Sequence, residues 1–137
     1  MAYWLMKTEP EKYGFHHLEL KERDVWDGVR NFTALKNIRS MHPGDLTFIY
    51  HTGMQKSIVG VAEIVSPAYP APGEKVFYNV DVAPRYRLPR PVSLAQIKKN
   101  PIFAGWELVR LPRLSVMPAT PEYWSEIHSM GASEPEN

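Results

Sequence analysis

The chain contains no cysteine, which excludes a disulfide scaffold, a CxxC redox centre, a thiol nucleophile and a thiolate zinc site. Long apolar runs are also missing. Charged residues recur throughout, whereas a membrane-spanning helix needs about 20 consecutive apolar positions. Met1 leads directly into the strand-like stretch Tyr3 to Met6 and then into Lys7 and Glu9, so no secretory leader is expected, and the reading is an intracellular protein, cytoplasmic or, in a eukaryote, nuclear. The serine-hydrolase GxSxG, the P-loop, the dinucleotide GxGxxG and the zincin HExxH patterns are all absent. His16 and His17 are adjacent and would project about 100° apart on a helix. His42, His51 and His128 are scattered, so neither a metal nor a cofactor is expected. Glu9 and Asp27 are candidate acid–base carboxylates that nothing in the sequence joins.

What is present is an ordinary globular composition of 137 residues, 44% hydrophobic, with 16 basic and 15 acidic side chains. That suits one domain, expected over residues 1–130, with residues 131–137 as a flexible acidic tail. A domain of this size buries roughly two-thirds of its unfolded surface, enough for a core without cross-links. The balanced total hides an asymmetry. Between Pro84 and Leu114 stand Arg85, Arg87, Arg90, Lys98, Lys99, Arg110 and Arg113 against the single acid Glu107. Such a segment reads either as a polyanion-binding surface or as a solvated face.

Hydrophobic periodicity predicts a strand over Tyr3 to Lys7 and a helix over Phe15 to Arg23. A turn over Trp26 to Asn31 follows, then a helix over Phe32 to Met41 capped by Asn31. Leu46 to His51 and Ser57 to Val65 read as antiparallel strands, and Val76 to Val82 as a strand with one buried face. Ser93 and Gln96 have capping-box spacing for a helix over Leu94 to Lys99, and Thr120 precedes another helix. Between them, Leu111 to Met117 reads as a last strand. The order is mixed, without regular strand–helix alternation, and predicts a small bent sheet or partial barrel with outer helices.

Three stretches are hard to explain as packing alone. Lys7-Thr8-Glu9 ends an apolar strand in a cation, a hydroxyl and an anion. Trp26 to Asn31, sequence WDGVRN, crowds an aromatic, a glycine, a guanidinium and an amide into one turn. Trp26 offers a stacking face worth roughly 1–3 kcal/mol to a nucleobase, and Arg30 and Asn31 can read a base edge or hold a phosphate. The same turn would serve equally as a core tryptophan and a helix cap. Tyr50 and His51 could add a wall and a hydrogen bond.

Taken in order, YWLMKTEP, VWDGVRNFTALKNIRSM, GDLTFIYHT, SIVGVAEIV, AYP, VDV and ELVRLPRLSVMPATPEYW closely resemble the EVE domain family, from Tyr3 to about Ile127. The resemblance implies an α+β, PUA-like fold: a small curved mixed β-barrel flanked by short helices, related to YTH domains, which recognise methylated adenine in RNA. It further implies a nucleic-acid reader without catalysis, linked in several members to modified cytosine in DNA. Its pocket would be lined by Lys7, Thr8 and Glu9, by Trp26, Gly28, Val29, Arg30 and Asn31, by Tyr50 and His51, and by Arg113 and Ser115. Members often carry serine at the position of Thr8, whose extra methyl narrows the pocket.

Pattern and resemblance converge on a pocket for one flipped, modified base, with Arg85, Arg87, Arg90, Lys98, Lys99 and Arg110 on the nucleic-acid backbone. Rival readings are an RNA-binding module, and an enzyme or binding protein for a nucleotide-like anion that uses Lys7, Glu9 or His51 for proton transfer. An aromatic cage for methylated lysine is a further rival, disfavoured by the basic segment.

Overall fold

The apolar run at the start of the chain becomes β1 (Tyr3–Thr8), and its neighbours on both sides explain why Trp4, Leu5 and Met6 are buried. It pairs in parallel with β3 (Leu46–His51) and antiparallel with β7 (Val116–Ala119). The computed structural model describes residues 1–132; within the expected acidic tail, residues 133–137 lie outside it. Adding β2 (Asp24–Trp26), β4 (Ser57–Ile64), β5 (Tyr69–Pro70) and β6 (Tyr78–Ser93), the strand order is β2-β6-β4-β3-β1-β7, with β5 on β6. Around this sheet lie α1 (Pro10–Tyr13), α2 (Phe15–Lys21), α3 (Phe32–Arg39), α4 (Leu94–Lys99), α5 (Glu107–Arg110) and α6 (Pro121–Met130). The chain is thus a curled mixed-sheet half-barrel with short helices, the architecture expected from the sequence.

The curl has a local cause. Ile49 of β3 faces Gly60 while Tyr50 faces Ile58, so Val59 has no partner on β3. On the other side Ile58 faces Val92 and Gly60 faces Arg87, so residues 88–91 of β6 stand against Val59 alone. An extra residue in a strand bends it and increases its twist. Phe15 of α2 packs onto the bend: a Cβ on Gly60 would lie 2.8 Å from Phe15 Cζ and 2.9 Å from the Tyr86 carbonyl oxygen.

Most elements form where the pattern placed them, and the expected caps are made. Asn31 accepts from the Ala34 N–H at 3.0 Å, Thr120 from that of Tyr123 at 3.0 Å, and Ser93 and Gln96 close their box at 3.1 and 2.9 Å. Several segments differ, among them three that shape the site. The strand expected over Val76 to Val82 is the sixteen-residue β6, Tyr78–Ser93. No strand is expected over residues 83–93, whose prolines disfavour a strand interior, but Pro84 sits at a register shift, and Pro89 and Pro91 lie in the irregular stretch opposite Val59, where no ladder hydrogen bond is required. The helix expected to Arg23 stops at Lys21, with Glu22 left-handed at φ 65°, and Asp24–Trp26 then pairs with β6. The strand expected over Leu111 to Met117 begins only at Val116, because a turn closed by the Leu114 N–H on the Leu111 carbonyl at 3.0 Å precedes it.

Gly60→Ala overpacks the bend, and the expected cost is about 1–3 kcal/mol. Urea unfolding should show a lower midpoint with an unchanged slope; an unchanged midpoint would mean that the bend has slack.

Candidate nucleic-acid interface

Although β1 and β2 are far apart in strand order, the curl brings their ends to one cavity of about 420 Å³, lined by Lys7 and Thr8 from β1 and Asp24, Val25 and Trp26 from β2. The volume lies in the range of small-molecule pockets, roughly 300–1,000 Å³. Tyr13, at the end of α1, bridges the two strands. Its carbonyl accepts from the Thr8 hydroxyl at 2.6 Å and its own hydroxyl donates to Asp24 Oδ2 at 2.5 Å. Burial and the Asp24 charge together push the Tyr13 phenol far above its usual range. Burial would raise the Asp24 carboxyl, but the Tyr13 hydroxyl, the Val25 N–H and Lys21 outweigh it and hold the group below its ordinary value. Trp26, only 8% exposed, forms an apolar wall and receives the Tyr13 ring edge-on at 6.4 Å.

The cavity opens into a wider cleft of about 730 Å³ that shares Lys7, Thr8 and Asp27 and continues along Glu9, Gly28, Arg113 and Ser115. Lys7 is bent inward. Its Nζ donates to the Pro112 carbonyl at 2.9 Å and lies 5.5 Å above the Tyr50 ring, and desolvation lowers its pKa. Glu9 reaches the same cleft, paired with Lys12 at 3.7 Å. Asp27 lies where the clefts meet, exposed, and among the described residues it has no hydrogen-bond or ion-pair partner. The two carboxylates that nothing in the sequence joined therefore line one cleft.

The other expected pocket residues are distributed differently. Val29 is a core residue, and Arg30 faces an adjoining hollow of about 280 Å³ that shares Asp27 and Gly28 with the cleft, 3.6 Å from Glu74 and stacked 4.2 Å over Phe77. Asn31 caps α3 and lines a groove of about 400 Å³ with Arg110 and Arg113. Tyr50 is buried beneath Lys7. Both nitrogens of His51 are committed to the fold: Nε2 accepts from the Phe15 N–H at 3.0 Å, and Nδ1 therefore donates to Gln55 Oε1 at 2.8 Å.

The basic segment does not form one patch. Arg85 pairs with Glu63 at 2.6 Å and Arg87 takes Glu19 in a bidentate pair with contacts of 2.5 to 3.1 Å. Arg90 donates to the Met130 carbonyl at 3.2 Å, and Lys98 and Lys99 are exposed on α4. Arg110 donates to the Gly105 carbonyl at 2.9 Å and, with Arg113, reaches the groove beside the cleft. Sequence reasoning passed over Tyr13 and Asp24. Neither carries a local signal, since Tyr13 joins the wall only because α1 packs at the end of β1, and Asp24 only because the curled sheet brings β2 there. Among the described residues no group of three or more His, Asp or Glu could hold a metal ion, and no helix is long and apolar enough to cross a membrane.

The family model of the EVE domain matches residues 2–130. Thymocyte nuclear protein 1 of Rattus norvegicus is 32% identical over 170 residues, spanning 97% of this chain and 75% of its own length. The solution structure of a Rhodopseudomonas palustris protein superposes with a TM-score of 0.91 at 39% identity, covering 96% of this chain and 93% of the other. Human THYN1, solved in complex with DNA containing 5-methylcytosine, superposes with a TM-score of 0.87 at 28% identity, covering 98% and 100%.

The geometry at His51 has a measurable consequence. Burial holds its pKa below the ordinary 6.5, with Gln55 opposing and His16 and Arg87 reinforcing the shift. As pH falls below about 6.5 the unfolded chain takes up a proton that the folded one does not, so stability declines until the lower folded-state pKa is passed. Unfolding free energy measured between pH 7 and 5 should fall in the native protein and flatten in His51→Gln, whose amide oxygen can still accept from Phe15. An equal slope in both would show that the Phe15 contact does not depend on a neutral ring.

Proposed function

The chain belongs to the EVE domain family, and from that premise we propose that it reads nucleic acid by accepting one flipped base, a modified cytosine of DNA foremost, in the cleft between β1 and β2. The observation that carries this reading is the pairing of an apolar wall with an available acceptor: Trp26 beside an Asp27 carboxylate that no hydrogen bond or ion pair among the described residues engages. A carboxylate is the side chain that accepts a hydrogen bond from the N4 amino group of cytosine. Extrusion from the stack costs a few kcal/mol. Contact with the part of Trp26 left accessible offsets some of it, and a methyl group settled against an apolar surface such as Trp26 or the Thr8 γ-methyl is worth about 1–3 kcal/mol of discrimination. The complex of human THYN1 with 5-methylcytosine-containing DNA supports the same ligand class, because that protein is similar over nearly the whole chain.

The test is a titration of short duplexes that differ only in one cytosine, plain or 5-methylated, with a matched RNA alongside. The native protein should prefer the methylated duplex. Asp27→Ala should weaken that binding by about 1–3 kcal/mol, roughly 5- to 150-fold, without lowering Tm, since the side chain is exposed and unpaired. Equal binding of every duplex, tighter binding of the RNA, or an unaffected Asp27→Ala variant would overturn the reading.

A further inference from the structure

Two cations that the sequence pattern left aside stand on α3. Lys36 and Arg39 are three residues apart, on one exposed face, and among the described residues neither has an acidic partner. With Phe32 and Val76 they border a groove of about 470 Å³, and the two apolar side chains are 71% and 53% exposed. Phe32 lies between Asn31 and Thr33, which line the neighbouring groove together with Arg110 and Arg113. Pro112 and Arg113 in turn line the cleft that holds Asp27. Cleft and grooves thus follow one another around the first turn of α3. No carboxylate lines either outer groove, whereas Arg85 and Arg87 are each neutralised by a glutamate.

We propose that the sugar–phosphate backbone of the nucleic-acid strand whose base enters the cleft runs along this path, past Arg113 and Arg110 to Lys36 and Arg39, with Phe32 packing on a sugar or an adjacent base. The proposal rests on the base-reading function above and adds where the strand lies. Charge selects the occupant: a run of exposed cations with no acid among them suits a polymer with regularly spaced anions, and the exposed phenyl ring suits one that also carries flat apolar faces. Phosphate contacts fix register and orientation without reading sequence, so this surface acts on modified and plain duplexes alike.

The experiment is fluorescence anisotropy with a labelled duplex carrying one 5-methylcytosine, and with its unmodified counterpart, between 50 and 200 mM salt. Each phosphate contact contributes about 0.9 to the slope of log affinity against log salt on duplex DNA. The double variant Lys36→Ala, Arg39→Ala should flatten that slope by roughly 1 to 2 and weaken both duplexes by the same factor, leaving their ratio unchanged. Phe32→Ala should weaken binding with the slope intact, and Arg85→Ala with Arg87→Ala should leave the slope as it is. Thermal melts establish that each variant is folded. An unchanged slope in the α3 variant, or a flattened slope in the β6 variant, overturns the path while a preserved preference for the methylated duplex leaves the base-reading function standing. Loss of all duplex binding by the native protein overturns both. Polyglutamate competing as well as unmodified duplex would show a general surface for acidic polymers and overturn the assignment to nucleic acid.

Discussion

The bend of β4 and β6 around Val59 and Gly60 is the constraint on which the cleft depends. Strands in a flat sheet lie about 4.8 Å apart, so β2 and β1, four places apart in the order β2-β6-β4-β3-β1, would be separated by roughly 19 Å. In the curled sheet they face one cavity and are joined through Tyr13. Gly60 makes this possible by lacking a side chain where Phe15 and the Tyr86 carbonyl close in. Phe15 carries the bend further, since its N–H anchors His51 at the end of β3. One small residue thereby couples sheet curvature, helix docking and the floor of the site.

Polar groups divide into those the fold consumes and those it leaves free. Asp45, nearly fully buried, accepts from the Ala2 N–H, the Trp4 indole and the His42 N–H, each at 3.0 Å. Burial opposes its ionisation, but those donors and His42 hold its carboxyl below the ordinary value. A buried carboxylate is tolerated on such terms because its hydrogen bonds replace those of water. His51 and Asp24 are engaged in the same way, whereas Asp27 is left without a partner in a cleft that Lys7 and Trp26 also shape. That contrast separates side chains that build the pocket from one that can answer a ligand.

Charge follows a similar division. Counted along the chain, the positive excess sits in residues 84–114, yet Glu19 and Glu63 arrive from α2 and β4 to neutralise two of its arginines. The cations without an acidic partner that border the grooves beside the cleft come from separate segments, Lys36 and Arg39 from α3 and Arg110 and Arg113 from the α5 region. Linear charge counts fail here because a salt bridge joins residues 22 or 68 positions apart as readily as neighbours.

Much of the protein was legible in its sequence. Alternation and turn residues located β1, β3 and β4, capping residues located α3, α4 and α6, and the ordered series of motifs carried the family and its half-barrel, because all of these are encoded by side chains close together in the chain. The length of β6 was hidden by prolines that are harmless only at its irregular positions, and the three-residue β2 is too short to carry a period. The sequence also singled out Lys7, Thr8, Glu9, Trp26 and Gly28, which do line the joined cavities. What it could not decide was which polar groups remain unspent. Asp27 is free, His51 is bound at both nitrogens and Arg87 is neutralised only because a bent sheet brings distant segments together or keeps them apart, and pairing across such distances exists only once the chain has folded.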